Sequence, residues 1–263
     1  MKILLSEAAP DYAGYVFPYA VWAFLESGET PADALARGFL PSLPDLSRFY
    51  LCRQVRVRLD KFRPSSENRR VLRKGSGMAC RIVDRDDFAW TDERRTFCLA
   101  YANRRWSSPP APERIERIFA SKMTTHIGHF QDAEGRDVGI VSLLRSGGTW
   151  FYSNAFYDAD GFAGLGAFLM TEIVRSLSET GEEFLHLGTC YSTSALYKTQ
   201  FPGAEFFNGF RWSPDLAELK HLVARQGKSA PGHLLEDESY RERWVPEGVG
   251  DLAATEGLRL ITE

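Results

Sequence analysis

The sequence predicts an α/β (α+β) protein in which a mixed, mostly antiparallel sheet is flanked by helices, with a small N-terminal subdomain. Three observations carry this. Residues 138–144 and 149–157 read as two strands joined by Ser146-Gly147-Gly148, a hairpin turn. Leu165, Phe168, Leu169, Ile173 and Leu177 then recur at helical spacing, which gives a helix one apolar stripe that must face a sheet. Residues 184–187 form a short apolar strand after Gly181, the expected helix stop, and a strand-helix-strand unit normally crosses over right-handed to a parallel neighbour.

Composition allows a sizeable core. The 263 residues are 44% hydrophobic and 25% charged, ordinary for a globular chain of one large domain or two small ones. The apolar run at residues 3–5 is far too short for a signal peptide core or a membrane span, so a cytoplasmic protein with no membrane partner is expected. Cys52, Cys80, Cys98 and Cys190 lie far apart with no CxxC pair, which argues against a structural zinc site or a disulfide framework and for buried thiols. No metal is expected.

From the N-terminus, residues 15–25 are aromatic and apolar without clean periodicity, a helix on the core or a packed arm. Thr30-Pro31-Ala32-Asp33 gives a short helix its capping hydroxyl, first-turn proline and early acid, and Gly38 ends it. After Pro41 and Pro44, residues 54–59 alternate Val55, Val57 and Leu59 with Arg56 and Arg58, a half-buried strand with a basic face. Residues 53–74 hold nine basic residues against two acids, a net of +7 over 22 residues in a chain whose formal net charge is −3. Ser65 or Ser66 caps a helix there that carries Arg69, Arg70, Arg73 and Lys74. Such a run is either a solvated face or a surface that tracks phosphates, because Arg and Lys neutralising phosphates is the main affinity term for nucleic acids.

Residues 92–105 and 112–122 read as two helices separated by Ser107-Ser108-Pro109-Pro110, and Asp215 and Gly227 bracket another with Leu216, Leu219, Leu222 and Val223. Residues 236–263 carry eight acids against three bases, a partly ordered tail pinned by Tyr240, Trp244 and residues 258–261. The chain thus divides into three parts: an N-terminal subdomain at 1–75, a central domain at 76–214, and a C-terminal helix and tail at 215–263.

The central helix opens on Gly161-Phe162-Ala163-Gly164-Leu165-Gly166-Ala167. Glycines there let backbone N–H groups approach a phosphate at the positive helix end, and close strand-helix packing would also require them. The turn resembles the pyrophosphate loop of the GNAT acyltransferases, Gln/Arg-x-x-Gly-x-Gly/Ala, with Gly161 where Gln or Arg is expected. With CRQVRVRLDKFRPSSENRRVLRK at residues 52–74, FYDADGFAGLG at 156–166, LHLGTCYSTSALYKTQFPGAEFFNGFRW at 185–212 and ALARGFLPS at 34–42, residues 15–214 resemble the arginyl/leucyl-tRNA–protein transferase family, which has a GNAT-like fold. The departures are specific. The family's N-terminal cysteine cluster, associated with metal or iron–sulfur binding, is reduced to Cys52. Ala159 replaces a proline, Thr189 is inserted before the tyrosine that follows Leu-Gly, and residues 192–195 lack the Cys-Pro that often precedes Tyr-Lys.

The resemblance implies transfer of an amino acid from aminoacyl-tRNA to the N-terminal amine of a protein or to another amine, with no cofactor beyond that co-substrate. The alternatives are a transferase of the same fold using acyl-CoA and a non-catalytic RNA-binding or regulatory relative. An aminoacyl ester attacked by an amine needs a base and an oxyanion site. Asp158 or Glu172 could accept the proton, Tyr191 or Tyr197 could protonate the departing ribose oxygen, and Lys198 could hold a phosphate or carboxylate. Asp158 as a turn cap and Tyr191 as a core-edge tyrosine are the structural alternatives. Gly164, Leu165 and Gly166 would carry the donor's phosphate or terminal ribose. Arg56, Arg69, Arg70, Arg73 and Lys74 would track the tRNA. His126, His129 and His186 form no ligand set, and His186 inside a strand reads as structural.

Overall fold

A computed structural model describes residues 1–9, 11, 13, 18–226 and 233–257. Gly227, residues 258–261 and part of the 15–25 segment lie outside them. Two sheets organise the chain. The N-terminal one contains β1 (Lys2–Glu7) and β2 (Tyr19–Phe24) and, after helix α1 (Pro31–Ala36), β3 (Phe39–Pro41) and β4 (Phe49–Leu51), in the antiparallel order β1-β2-β4-β3. The helix or arm expected at 15–25 is therefore strand β2 over the described part. It pairs with β1 on one side and β4 on the other, and apolar residues on both of its faces hide the period of two. Helix α1 starts as expected, with the Asp33 carboxylate accepting from the Thr30 N–H and hydroxyl.

The second sheet has eight strands. Strand β5 (Gln54–Arg58) leads through a 3₁₀ turn into α2 (Ser66–Lys74), which is capped by the Ser65 hydroxyl accepting from Asn68 N–H. The chain continues through β6 (Ala79–Asp84), helices α3 (Asp92–Arg105) and α4 (Pro112–Ala120), β7 (His126–Gln131), β8 (Asp137–Ser146), β9 (Thr149–Tyr157), α5 (Leu165–Ser178), β10 (Phe184–Thr189), β11 (Ala204–Phe207) and β12 (Trp212–Ser213). The sheet order is β12-β11-β5-β10-β9-β8-β7-β6. All of its pairings are antiparallel except β10 with β9, the expected crossover pair. Strand β5, from the first 75 residues, thus lies inside this sheet.

Helix α5 buries Leu165, Phe168, Leu169, Ile173 and Leu177 as the stripe requires, against Val55, Val57, Val141, Leu143, Trp150 and Leu185 of the sheet. The opposite sheet face is covered in two places. Helices α3 and α4 bury Ile127, Ile140 and Phe156, and the N-terminal sheet packs Leu35, Leu40 and Cys52 on Leu144 and Phe151. Beyond β12, helices α6 (Leu216–Gln226), α7 (Glu238–Trp244) and α8 (Val249–Thr255) close the chain. There the buried Glu218 carboxylate accepts from Tyr240, Ser213 and Asn208, so Tyr240 does pin the tail. No helix among the described residues is long and apolar enough to cross a membrane.

Candidate functional site

Strands β9 and β10 run side by side for only three pairs, Thr149 to Phe184, Trp150 to Leu185 and Phe151 to His186. Each then carries one residue with no partner across the ladder. In β9 the register to β8 slips past Ser153, and in β10 the register to β5 slips past Leu187. A bulge inserts one extra residue, bends its strand and re-aims the side chains beyond it. Past the paired stretch the strands therefore part, β9 staying with β8 and β10 with β5. The extra residue also keeps Trp150, Tyr152, Ala155 and Tyr157 packed on one cluster with α5, although strict alternation from Trp150 would turn Tyr157 away.

The opening is a cleft of about 690 Å³. One wall is Tyr152, Ser153, Ala155 and Tyr157 of β9, and the other is Leu187 with Tyr197 and Lys198. Its floor is the glycine turn and the first turn of α5, and Tyr101 and Arg105 of α3 close one end.

Of the residues singled out in the sequence, Asp158, Gly164, Leu165 and Gly166 line the cleft on one side and Tyr197 and Lys198 on the other. Asp158 is exposed, and its carboxylate accepts from Asp160 N–H at 2.9 Å while its carbonyl accepts from Gly161 N–H, so it also holds the turn. Gly164 precedes the helix at φ 100°, a left-handed value that a side chain would strain. The first-turn N–H groups at Gly166 and Ala167 have no intrahelical acceptor and point the helix's positive end into the cleft.

Tyr197 and Lys198 lie on a 3₁₀ helix, Thr193–Thr199. Tyr197 is 47% exposed, and packing on its inner side raises its phenol pKa, with Tyr157 adding to the shift. Lys198 Nζ donates to the Thr189 carbonyl at 2.8 Å, passing Gly188, whose φ is 85°. Burial lowers its pKa, against the opposing pull of the Cys190 and Cys52 thiols.

Two expected catalytic residues lie elsewhere. The Tyr191 hydroxyl accepts from Arg53 N–H at 2.7 Å, and the Arg53 guanidinium covers its ring, so it closes the edge of β5 and does not line the cleft. Glu172 is bound by Arg175 one turn along α5, away from the lining. His186, read as structural, is fully buried with one ring nitrogen on Gln54 and the other without a partner.

The basic segment divides in two. Arg56 is sandwiched between the rings of Phe184 and Trp212 at 4.0 and 3.8 Å and bonded to Glu205 at 2.8 Å, so its guanidinium fastens β11 to β5 and is not offered to a ligand. The basic face expected on this strand is further closed by the Arg58–Asp60 pair. Arg69, Arg70, Arg73 and Lys74 are exposed on α2. Arg69 donates to the Pro64 carbonyl and Arg70 pairs with Glu67. Lys74 Nζ lies 3.4 Å from the Ala163 carbonyl, so the last turn of this helix touches the glycine turn at the lip of the cleft. Among the described residues no group of His, Cys, Asp and Glu is placed to hold a metal ion. Cys52, Cys98 and Cys190 are buried, Cys80 is half-buried, and burial pushes the Cys52 and Cys80 thiols up to about 12, which leaves both protonated and inert.

Sequence reasoning missed Tyr101, Tyr152, Tyr157 and Arg105. With Tyr197 they make a cleft of four phenols and one exposed guanidinium. The rings of Tyr101 and Tyr157 pack at a tilt, with centroids 4.6 Å apart.

No family model matches the chain. Over 172 residues it is 28% identical to the aspartate/glutamate leucyltransferase of Chromobacterium violaceum, a match covering 61% of this chain and 68% of that one. The aspartate/glutamate leucyltransferase of Rhizorhabdus wittichii is 26% identical over 176 residues, 61% of this chain and 65% of its own. The chain thus spans about two thirds of the length of these relatives. Among solved structures, a GCN5-related N-acetyltransferase from Sphaerobacter thermophilus overlaps 72% of this chain and 56% of its own at a TM-score of 0.37 and 16% identity.

Proposed function

We propose that the protein is an aminoacyl-tRNA-dependent transferase that moves an amino acid onto the N-terminal amine of a protein, leucine onto aspartate or glutamate if it acts as its relatives' name says. The observation that carries this reading is the meeting of the exposed basic helix α2 with the glycine turn at the lip of a phenol-lined cleft. Such a cleft suits the 3′ end of a tRNA, since bases and ribose pack on aromatic faces while arginines and lysines hold the phosphates outside.

In this reading the acceptor ammonium loses its proton to Asp158, directly or through water, and the freed amine attacks the ester carbonyl. The carbonyl oxygen becomes an oxyanion that the first-turn N–H groups of α5 and the Lys198 ammonium, which line the cleft, would stabilise. As the tetrahedral intermediate collapses, the carbon–ribose oxygen bond breaks and the Tyr197 hydroxyl, whose raised pKa keeps it protonated, gives that oxygen a proton, while the nitrogen, which still carries one proton more than an amide holds, returns one to Tyr197 directly or through water. Most of the rate would come from holding ester and amine together. Tyr191 and Glu172 take no part.

The test incubates the protein with labelled aminoacyl-tRNAs, and separately with acetyl-CoA, each with peptides that differ in their first residue. Transfer from tRNA that falls at least tenfold in Tyr197→Phe, about 1.4 kcal/mol of transition-state stabilisation, is the expected result. Full activity of that variant would remove Tyr197 from the mechanism. Transfer from acetyl-CoA alone would select the acyl-CoA reading, and tRNA binding without any transfer would select a non-catalytic relative.

A further inference from the structure

We infer that Arg105 selects the acceptor: its guanidinium receives the side-chain carboxylate of a peptide whose first residue is aspartate or glutamate, while Asp158 faces that residue's ammonium. The inference rests on the transferase reading above and deepens it by naming the group that reads the acceptor. Three charged residues line the cleft, Arg105, Asp158 and Lys198. Lys198 Nζ already donates to the Thr189 carbonyl. Arg105 is exposed and makes no hydrogen bond or ion pair among the described residues. Burial raises the pKa of the Tyr101 phenol and the Arg105 charge opposes it, so the guanidinium, and not only its stem, stands at the cleft. Its planar fork of N–H donors matches a carboxylate two bonds at a time.

Neighbouring residues fix where this charge stands. Arg104 pairs with Asp160 at 2.5 Å, which ties the last turn of α3 to the turn that carries Asp158. Tyr101 and Trp106, on either side of the pair along the chain, pack on the fully buried ring of Phe156 at 5.9 and 6.1 Å. A guanidinium and a carboxylate are thus held at one cleft on segments fastened to each other, the complement of a carboxylate and an ammonium on one amino acid. Helix α2 meets the same turn at a different point, through Lys74 at the Ala163 carbonyl. A tRNA guided by α2 arrives there and leaves the α3 end of the cleft to the acceptor. A first residue of lysine would set a second cation against Arg105, and asparagine would bring no charge. Because Arg105 is exposed, water competes for both partners, so a preference of about tenfold to a hundredfold is expected, below the factors a buried site gives.

The probes are peptides identical except for a first residue of aspartate, asparagine or lysine, given with leucyl-tRNA to the full chain. The ratio of kcat/KM for aspartate over asparagine is taken within each protein, so that folding and tRNA binding cancel. The wild type is expected to favour aspartate about tenfold or more, Arg105→Ala to bring the ratio within about twofold of one, and Arg105→Glu to favour lysine over aspartate. Calorimetric binding of the same peptides to the same preparations is a second readout that needs no transfer. A wild type that discriminates in neither assay overturns the inference. So does an Arg105→Ala protein that keeps the ratio while both rates fall, and a raised KM for leucyl-tRNA in that protein would put Arg105 on the donor instead. Absence of transfer from leucyl-tRNA, with a binding preference for aspartate that Arg105→Ala removes, would sink the transferase reading and leave Arg105 as the reader of acidic N-termini.

Discussion

His186 shows how much a single buried side chain can hide from a reader of sequence. It sits in the middle of β10, where a histidine among apolar residues reads as structural, yet only one of its nitrogens is bonded, to Gln54, whose own amide nitrogen is also unpartnered. Burial, aided by the Arg56 guanidinium, pushes its pKa well below the ordinary 6.5, so the folded protein keeps it neutral. Below pH 6.5 the unfolded chain binds a proton that the native state refuses, and stability falls with pH until the native value is reached. Between pH 7.5 and 5.5 this one group should cost the wild type about 1.4 kcal/mol that His186→Gln does not lose. Urea unfolding at the two pH values measures it, and equal losses in both proteins would show that His186 is not held neutral. In the cleft, Tyr197 and Lys198 were legible because they fall inside a recognisable run of residues. Tyr191 belongs to the same run but bonds Arg53, a contact made across two strands that spacing cannot report.

The strand-helix-strand unit was legible because its signals are local: a two-glycine turn, an apolar stripe of period 3.6, and a short apolar strand. The bulges at Ser153 and Leu187 were not, since an alternation count has no place for an extra residue, and it is these that open the cleft and aim Tyr157. Tyr101 and Arg105 reach the cleft from α3, more than forty residues before the β9 tyrosines, so only the folded arrangement unites them. Helix packing beside the cleft is equally hard to read and can be tested. Gly75 ends α2 at φ −97°, a value any residue can adopt, but a Cβ there would stand 2.2 Å from the ring of Phe168 on α5. That ring is 3% exposed and packed between Phe130 and Phe162, so it has little room to yield. Gly75→Ala should therefore destabilise the protein by roughly 1–3 kcal/mol, the usual cost of overpacking, read from the urea midpoint at unchanged slope. An unchanged or raised midpoint would mean that α2 and α5 are less tightly seated.

At the scale of the whole molecule, charge is distributed against its total. The chain has a formal net charge of −3, while residues 53–74 alone carry +7. Folding consumes part of that excess, for Arg56 is locked between two rings and Glu205, and Arg58 is paired with Asp60. What stays outward is the face of α2 with Arg69, Arg70, Arg73 and Lys74, ending at the glycine turn. If this face holds phosphates near the end of a tRNA, reversing two of its charges must weaken binding and also reduce the number of counterions released. Arg69→Glu with Arg70→Glu should lower tRNA affinity at least tenfold and flatten the dependence of log affinity on log salt by about one unit per residue. The fold should be nearly unaffected, because both side chains are exposed and the Arg70–Glu67 pair lost with them is a surface pair. Filter binding across a salt series, with thermal melting as the control, separates the outcomes. Unchanged affinity and slope in a folded double variant would make the basic helix a solvated face, and the phosphates of the donor would have to be sought at Arg105, inside the cleft.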